Sequence, residues 1–207
     1  MTDNLENKPR SRDERAQAQR ARILDAAQRC FIRDGFHAAS MANISAMADM
    51  SPGLIYRYFD NKDAIILAII EQQLAEKRSN IAQLASAAQL AQAVRDLFDG
   101  WRRRDESVMN AALFLEMSAQ ATRDPKISQA LAQADRITGA DFRNWLRQRA
   151  QADGVEASAQ EIEVRSLVLQ SFVEGLAIRA VREPDYNVDT VVAAVGRLLP
   201  RLLSFAP

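Results

Sequence analysis

Ser40-Met-Ala-Asn-Ile-Ser-Ala-Met-Ala-Asp-Met-Ser-Pro-Gly-Leu-Ile-Tyr-Arg-Tyr-Phe-Asp-Asn-Lys62 reads as a short helix, a tight turn and a second short helix with its own cap. Ser40 is placed to accept from backbone N–H groups in the first turn of the first helix. Met41, Ile44, Met47 and Ala48 recur at helical spacing and form an apolar face. Asp49 falls where the chain must turn, and Asp tolerates left-handed backbone angles better than most residues. Ser51 is a good N-cap, and Pro52 suits the first helical position, where a missing N–H costs nothing. Gly53 allows close backbone approach to another surface. Ile55 and Phe59, four apart, are expected to face inward, leaving Tyr56, Arg57 and Tyr58 pointing largely outward. Tyrosines beside an arginine on a capped helix suit contact with phosphates and base edges, and Lys62 adds a cation at the start of the next helix. The layout is that of a helix-turn-helix, whose second helix enters the DNA major groove.

The pattern begins earlier, at Ile23-Leu-Asp-Ala-Ala-Gln-Arg-Cys-Phe-Ile-Arg-Asp-Gly-Phe36, a helix that ends in a glycine and an aromatic residue. Together with Ile44, Ala48, Ser51, Gly53, Tyr56, Phe59 and Lys62, this stretch resembles the TetR/AcrR family of one-component transcriptional regulators. The resemblance covers about a quarter of the chain. It implies that residues 13–62 form a three-helix DNA-binding domain that binds a palindromic operator in double-stranded DNA as a homodimer. It further implies that residues 63–207 form a helical domain for ligand binding and dimerisation. Carried over position by position, the implied DNA contacts are Ser40, Ser51, Pro52, Gly53, Tyr56, Tyr58 and Lys62, with Arg57 beside them. There are two departures. Asp49 replaces the usual turn glycine, and Leu54 stands where a polar residue is common; an apolar contact such as a thymine methyl suits a leucine there.

Charge is balanced over the 207 residues, with 27 Lys and Arg against 27 Asp and Glu, so the whole chain is not a polycation. Placement matters more. Lys8, Arg10, Arg12, Arg15, Arg20 and Arg22 crowd the start, and residues 1–12 read as a flexible basic arm, equally a solvated tail, that reaches the DNA backbone together with the first helix. The single Cys30 makes no internal disulfide and falls on the apolar face of Ile23, Ala26, Ala27 and Phe31, as a small core residue. One histidine, His37, and one cysteine argue against a zinc site of the usual type, and we expect no metal and no cofactor. There is no phosphate-cradling glycine loop and no Gly-x-Ser-x-Gly elbow. No apolar run is long enough to span a membrane or to act as a leader, so a cytoplasmic protein is expected.

The rest reads as helices with short breaks and no period-two alternation, giving an all-α fold of about nine helices. The fourth is expected from Lys62, and the fifth carries Leu90, Val94, Leu97, Phe98 and Trp101. The sixth starts at Ser107 and, apolar on nearly every side, is expected at the centre of its domain. The seventh starts at Asp124-Pro125 and ends at Asp153-Gly154, the eighth spans about Ser158 to Arg182, and the ninth about Val188 to Leu203. In the resembled family the last two helices pair with their mates. Leu167, Ser171, Gly175 and Ile178 on the eighth, with Val191, Val195, Leu198 and Leu202 on the ninth, are the matching candidates. Completing the domain's own core is the alternative. Phe98, Trp101, Met109, Phe114, Met117, Phe142, Trp145 and Phe172 suit an apolar pocket for an apolar or amphipathic effector, and suit a solid core as well. The function expected is a repressor released from its operator by a small molecule. An activator or a ligand-independent regulator stays open, whereas an all-α enzyme has no nucleophile–base pair or metal constellation to support it.

Overall fold

The computed structural model describes residues 11–105 and 108–205, and every regular element among them is a helix. In chain order these are α1 (Arg12–Ala38), α2 (Met41–Met47), α3 (Pro52–Tyr56), α4 (Lys62–Ala82), α5 (Ala87–Arg103), α6 (Ala111–Ala121), α7 (Pro125–Ala152), α8 (Ala159–Arg182) and α9 (Val188–Leu203). Their starts are written in the sequence as side-chain caps. Ser11, Ser40, Ser51, Ser86 and Ser158 each accept from the backbone N–H three residues on. Asn61 does the same for α4, while Asn110, Asp124 and Asn187 accept from the second and third helical residues. Each cap satisfies donors that a helix start leaves unpaired, at roughly 1 kcal/mol apiece.

The chain folds as two compact units, Met1–Ile69 and Ile70–Pro207. The division lies inside α4, later than the Lys62 boundary the sequence suggested, and the Lys62 side chain itself is bonded into the first unit. In that unit α1 packs on α2, and α2 on α3. Ile23, Ala26, Ala27, Cys30, Phe31, Ile44, Ile55 and Phe59 are buried, and the rings of Phe31 and Phe36 stack 4.4 Å apart. Gly35, at φ 74° and ψ 164°, breaks α1 before Phe36, a backbone position that other residues rarely adopt. Ser11 closes a reciprocal capping box with Glu14, so the basic arm expected over residues 1–12 ends before Arg12, the first residue of α1. Residues 1–10, with Lys8 and Arg10, lie outside the described part.

In the second unit α5 packs on α8 and α9, and α6 on α7 and α8. Its core is built from Phe98, Leu146, Ile162, Leu169, Val195 and Leu199. Three expectations change here. The sixth helix begins at Ala111 behind the Asn110 cap, and Ser107 lies outside the described residues. Nor is that helix central all round: Ala111, Leu113 and Met117 are buried, but Phe114 and Leu115 are only half-buried. Val191 and Val195 belong to the subunit's own core, at 4% and 0% exposure, and are unavailable to a partner chain.

Burial at 0% exposure, within 3.6 Å of the Met47 sulfur, pushes the Cys30 thiol above its ordinary range; Arg33 and Arg29 pull the other way and Asp34 adds to the rise. A thiol that is both inaccessible and protonated is unreactive. Ellman's reagent is therefore expected to leave Cys30 untouched in the native protein at pH 8, and to titrate one thiol per chain in guanidinium chloride. A native thiol that reacts as fast as the unfolded one overturns this placement.

Candidate functional site

In the first unit the helix-turn-helix is held from beneath and left bare on top. Asp49 takes the left-handed turn at φ 50°, where the sequence put it, and Arg22 binds both its carboxylate and its carbonyl at 3.3 Å. Buried Ser45 donates to the Met50 carbonyl at 2.6 Å and closes the same turn from within, a role the sequence pattern does not signal. Ile55 and Phe59 fasten the five-residue α3 to the core. Ser40, Ser51, Pro52, Gly53, Tyr56 and Arg57 are exposed. A Cβ added at Gly53 would meet nothing within 4 Å, so the backbone there is open to approach. Tyr56 is 53% exposed, whereas Tyr58 is half-buried.

Lys62 stands apart from this group. Its Nζ donates to the Phe36 carbonyl at 2.6 Å and the Ala39 carbonyl at 2.9 Å, and lies 5.5 Å from the Phe36 ring centroid. Two of the three ammonium donors are thus committed to the end of α1, so that one at most is left for a phosphate. Arg20 and Arg22, which the sequence offered to the DNA backbone, are likewise occupied, Arg20 stacking 4.3 Å over the Phe59 ring.

The second unit contains a cavity of about 410 Å³ and an adjoining one of about 200 Å³. The larger is walled by Leu90, Val94, Leu97 and Trp101 of α5, by Met109 before α6 and by Phe142 of α7. Of the aromatic and methionine residues singled out in the sequence, Trp101, Met109, Phe114 and Phe142 line the larger cavity, and Met117 lines the smaller. Phe98, Trp145 and Phe172 line neither, and the expectation for them is corrected. Phe98 is 1% exposed in the core; Trp145 points its indole N–H at the Leu84 carbonyl, 2.8 Å away; Phe172 packs against the core cluster. Periodicity marks which residues are inside but not which of them border empty space.

Sequence reading missed the polar wall of the cavities. Gln73 and Lys77 of α4, Asp135 of α7 and Glu174 of α8 line both. Burial holds Lys77 below the usual lysine range, against the pull of Asp135 and Glu174. Burial raises the Asp135 carboxyl, with Lys77 opposing; it raises Glu174 too, where Asp135 adds and Lys77 subtracts. Among the described residues no group of His, Cys, Asp and Glu has the makings of a metal site, and no helix is long and apolar enough to cross a membrane.

Comparison with known proteins agrees with this division. The family model for bacterial regulatory proteins of the tetR family matches residues 23–69, and that for the C-terminal part of BetI-type transcriptional repressors matches residues 67–204. The HTH-type transcriptional regulator UidR of Escherichia coli K12 is 33% identical over 135 residues, 63% of this chain. That alignment spans 62% of UidR's length. The HTH-type transcriptional repressor Rv1474c of Mycobacterium tuberculosis is 27% identical over 177 residues, 86% of this chain and 90% of the relative. Among solved structures, Salmonella enterica GusR superposes with a TM-score of 0.73 at 25% identity, covering 90% of this chain and 95% of that one. The chain belongs to the tetR family of bacterial regulatory proteins, a family of transcriptional regulators and not of enzymes.

Proposed function

We propose that the protein is a cytoplasmic, homodimeric transcriptional repressor that binds a palindromic operator through α2 and α3 and releases it when a small molecule fills the cavity of the second unit. The observation that carries the DNA half is the capped, five-residue α3, pinned underneath by Ile55 and bare above at Gly53, Tyr56 and Arg57. Such a helix presents backbone and side-chain donors to a groove at little cost in ordering, since its rotation is already fixed by the core. Repression is supported by the repressor match of the C-terminal part. In a two-fold dimer the two α3 helices read half-sites one helical turn apart, roughly 34 Å. An effector acts by preferring a state whose spacing is wrong, and its effect is bounded by its differential affinity for the two states.

Dimerisation is supported by the outer face of α8. Val164, Leu167, Val168, Ser171, Gly175, Ile178 and Val181 recur three or four apart, and Leu167 is 63% and Val164 52% exposed. A continuous apolar stripe of this kind on a surface helix marks an interaction site. Gly175 has open space where a Cβ would stand, which suits close approach of a second helix. On α9, Val192 and Leu198 are exposed, in place of the buried Val191 and Val195, and Leu202 is half-buried.

Gel shifts with DNA upstream of the protein's own coding sequence test the reading directly: a retarded complex at low micromolar protein is expected, and none at any salt concentration would refute it. Tyr56→Phe is expected to weaken that complex by about 1 kcal/mol with an unchanged melting temperature, the scale of one hydrogen bond to phosphate. Lys62→Met should instead lower stability in urea by about 1–3 kcal/mol, because two carbonyls lose a charged donor. A Lys62→Met protein as stable as the parent would return Lys62 to the DNA face.

Gly175→Leu places a side chain in open space, so the monomer's fold should be unaffected while the subunit contact is overpacked by typically about 1–3 kcal/mol. Sedimentation should show dissociation at concentrations where the parent is dimeric, and operator affinity should fall in step. A variant that remains dimeric at the same concentrations would put the contact elsewhere.

A further inference from the structure

The wall shared by the two cavities holds a buried polar atom that folding leaves without a partner. Gln73 is 7% exposed, and its Nε2 is fully buried with no acceptor. Lys77, one helical turn further along α4, forms no hydrogen bond and no ion pair among the described residues. Opposite them stand the carboxylates of Asp135 and Glu174, and Thr138, 9% exposed, borders the same space. Beyond this wall the larger cavity turns apolar at Leu90, Val94, Leu97 and Trp101. Buried polar atoms are nearly always paired, so an orphaned donor beside empty volume is a request for an acceptor.

Charge decides which acceptor. A cationic head cannot accept from Gln73 Nε2 and meets the Lys77 ammonium. An anionic head answers Gln73 and Lys77, but only by adding a negative charge to a site already lined by the carboxylates of Glu76, Asp135 and Glu174. A hydroxyl both accepts and donates. Several hydroxyls on one uncharged head satisfy Gln73 and Lys77 as donors and Asp135 and Glu174 as acceptors, with no new charge buried. We propose that the cavity takes an uncharged, hydroxyl-bearing amphiphile: its head accepts from Gln73 Nε2 and Lys77 and donates to Asp135 and Glu174, and its apolar body lies against Trp101 and Leu97. This rests on the reading of the cavity as the effector site.

Calorimetric titration of the full chain with three probes of one tail length tests it: n-hexyl β-D-glucoside, hexanoate and hexyltrimethylammonium. The glucoside should bind about tenfold or more tighter than either ion, one hydrogen bond or charge penalty corresponding to roughly that factor. Gln73→Leu should lower glucoside affinity about tenfold, and so should Gln73→Glu, which keeps the shape and replaces the amide donor by an acceptor. Equal or tighter binding of either ion, or unchanged glucoside affinity in both variants, overturns the proposal. Failure of the glucoside to bind overturns it too, and 1-aminoanthracene, an uncharged fluorophore, then separates the two levels. If the fluorophore binds the parent and Leu97→Trp, checked for a cooperative melt, abolishes that binding, the cavity reading survives and the head-group inference alone falls. If it does not bind, both fall.

Discussion

The Lys62 ammonium fastens the two ends of the DNA-reading segment to each other. The end of α1 at Ala38 leaves carbonyls that no following turn satisfies. Lys62, at the start of α4, supplies charged donors to two of them, at Phe36 and Ala39. Everything between, α2, the turn and α3, is thereby a loop closed at its base by charge-assisted bonds, the stronger class of hydrogen bond. Within that loop the capping serines set where each short helix starts, Asp49 sets the turn, and Ile44, Ile55 and Phe59 set which face is down. A five-residue helix has no stability of its own. Its orientation comes entirely from these ties, which is why its upper face can be given over to Ser51, Gly53, Tyr56 and Arg57.

The second unit uses a related set of ties around its cavity. Two indoles act as struts: Trp101 donates to the Met109 carbonyl at 2.7 Å, linking α5 to the segment before α6, and Trp145 donates to the Leu84 carbonyl, linking α7 to the segment before α5. Arg165 of α8 donates to the Leu202 and Ser204 carbonyls at the end of α9 and stacks 4.2 Å over the Phe205 ring. Each tie joins a helix to irregular backbone or to a helix end, where carbonyls are otherwise orphaned. With its corners held in this way, the interior can leave a space unfilled beside α6, and Phe114 borders that space instead of plugging it.

Local chemistry was legible in the sequence, and long-range pairing was not. Ser40, Ser51, Asp124 and Ser158 announced helix starts because a cap involves only three or four successive residues. Asp49 announced its turn because few residues tolerate a positive φ. The tie from Lys62 to the end of α1 was not legible, because its acceptors lie 23 and 26 residues away, beyond any local pattern. Val191 and Val195 share a helical stripe with residues that face outward, and a stripe says that a face is apolar without saying what covers it. Phe98, Trp145 and Phe172 failed as cavity residues for the same reason that Trp101 and Phe142 succeeded: an aromatic is inside in either case, and only packing decides whether it meets another side chain or a void. Asp135 carried no signal at all, as a charged residue amid the solvated positions of a long helix.

The polar wall is costly to the folded chain. An unmet buried amide donor costs about 1–3 kcal/mol, and desolvating Lys77 adds to that. Leucine or methionine at either position would fill space, remove the penalty and fit the period of α4 equally well. Other inner hydroxyls find partners: Ser166, fully buried, bonds Gln170, and in the first unit Ser45 finds the Met50 carbonyl. At the wall of the cavities Gln73 Nε2 has no such partner. On the proposed reading that placement has a thermodynamic use. A ligand that accepts from Gln73 Nε2, already stripped of water, recovers the missing hydrogen bond without a fresh desolvation cost at that atom, and part of the preference for the filled state comes from the same amide that weakens the empty one.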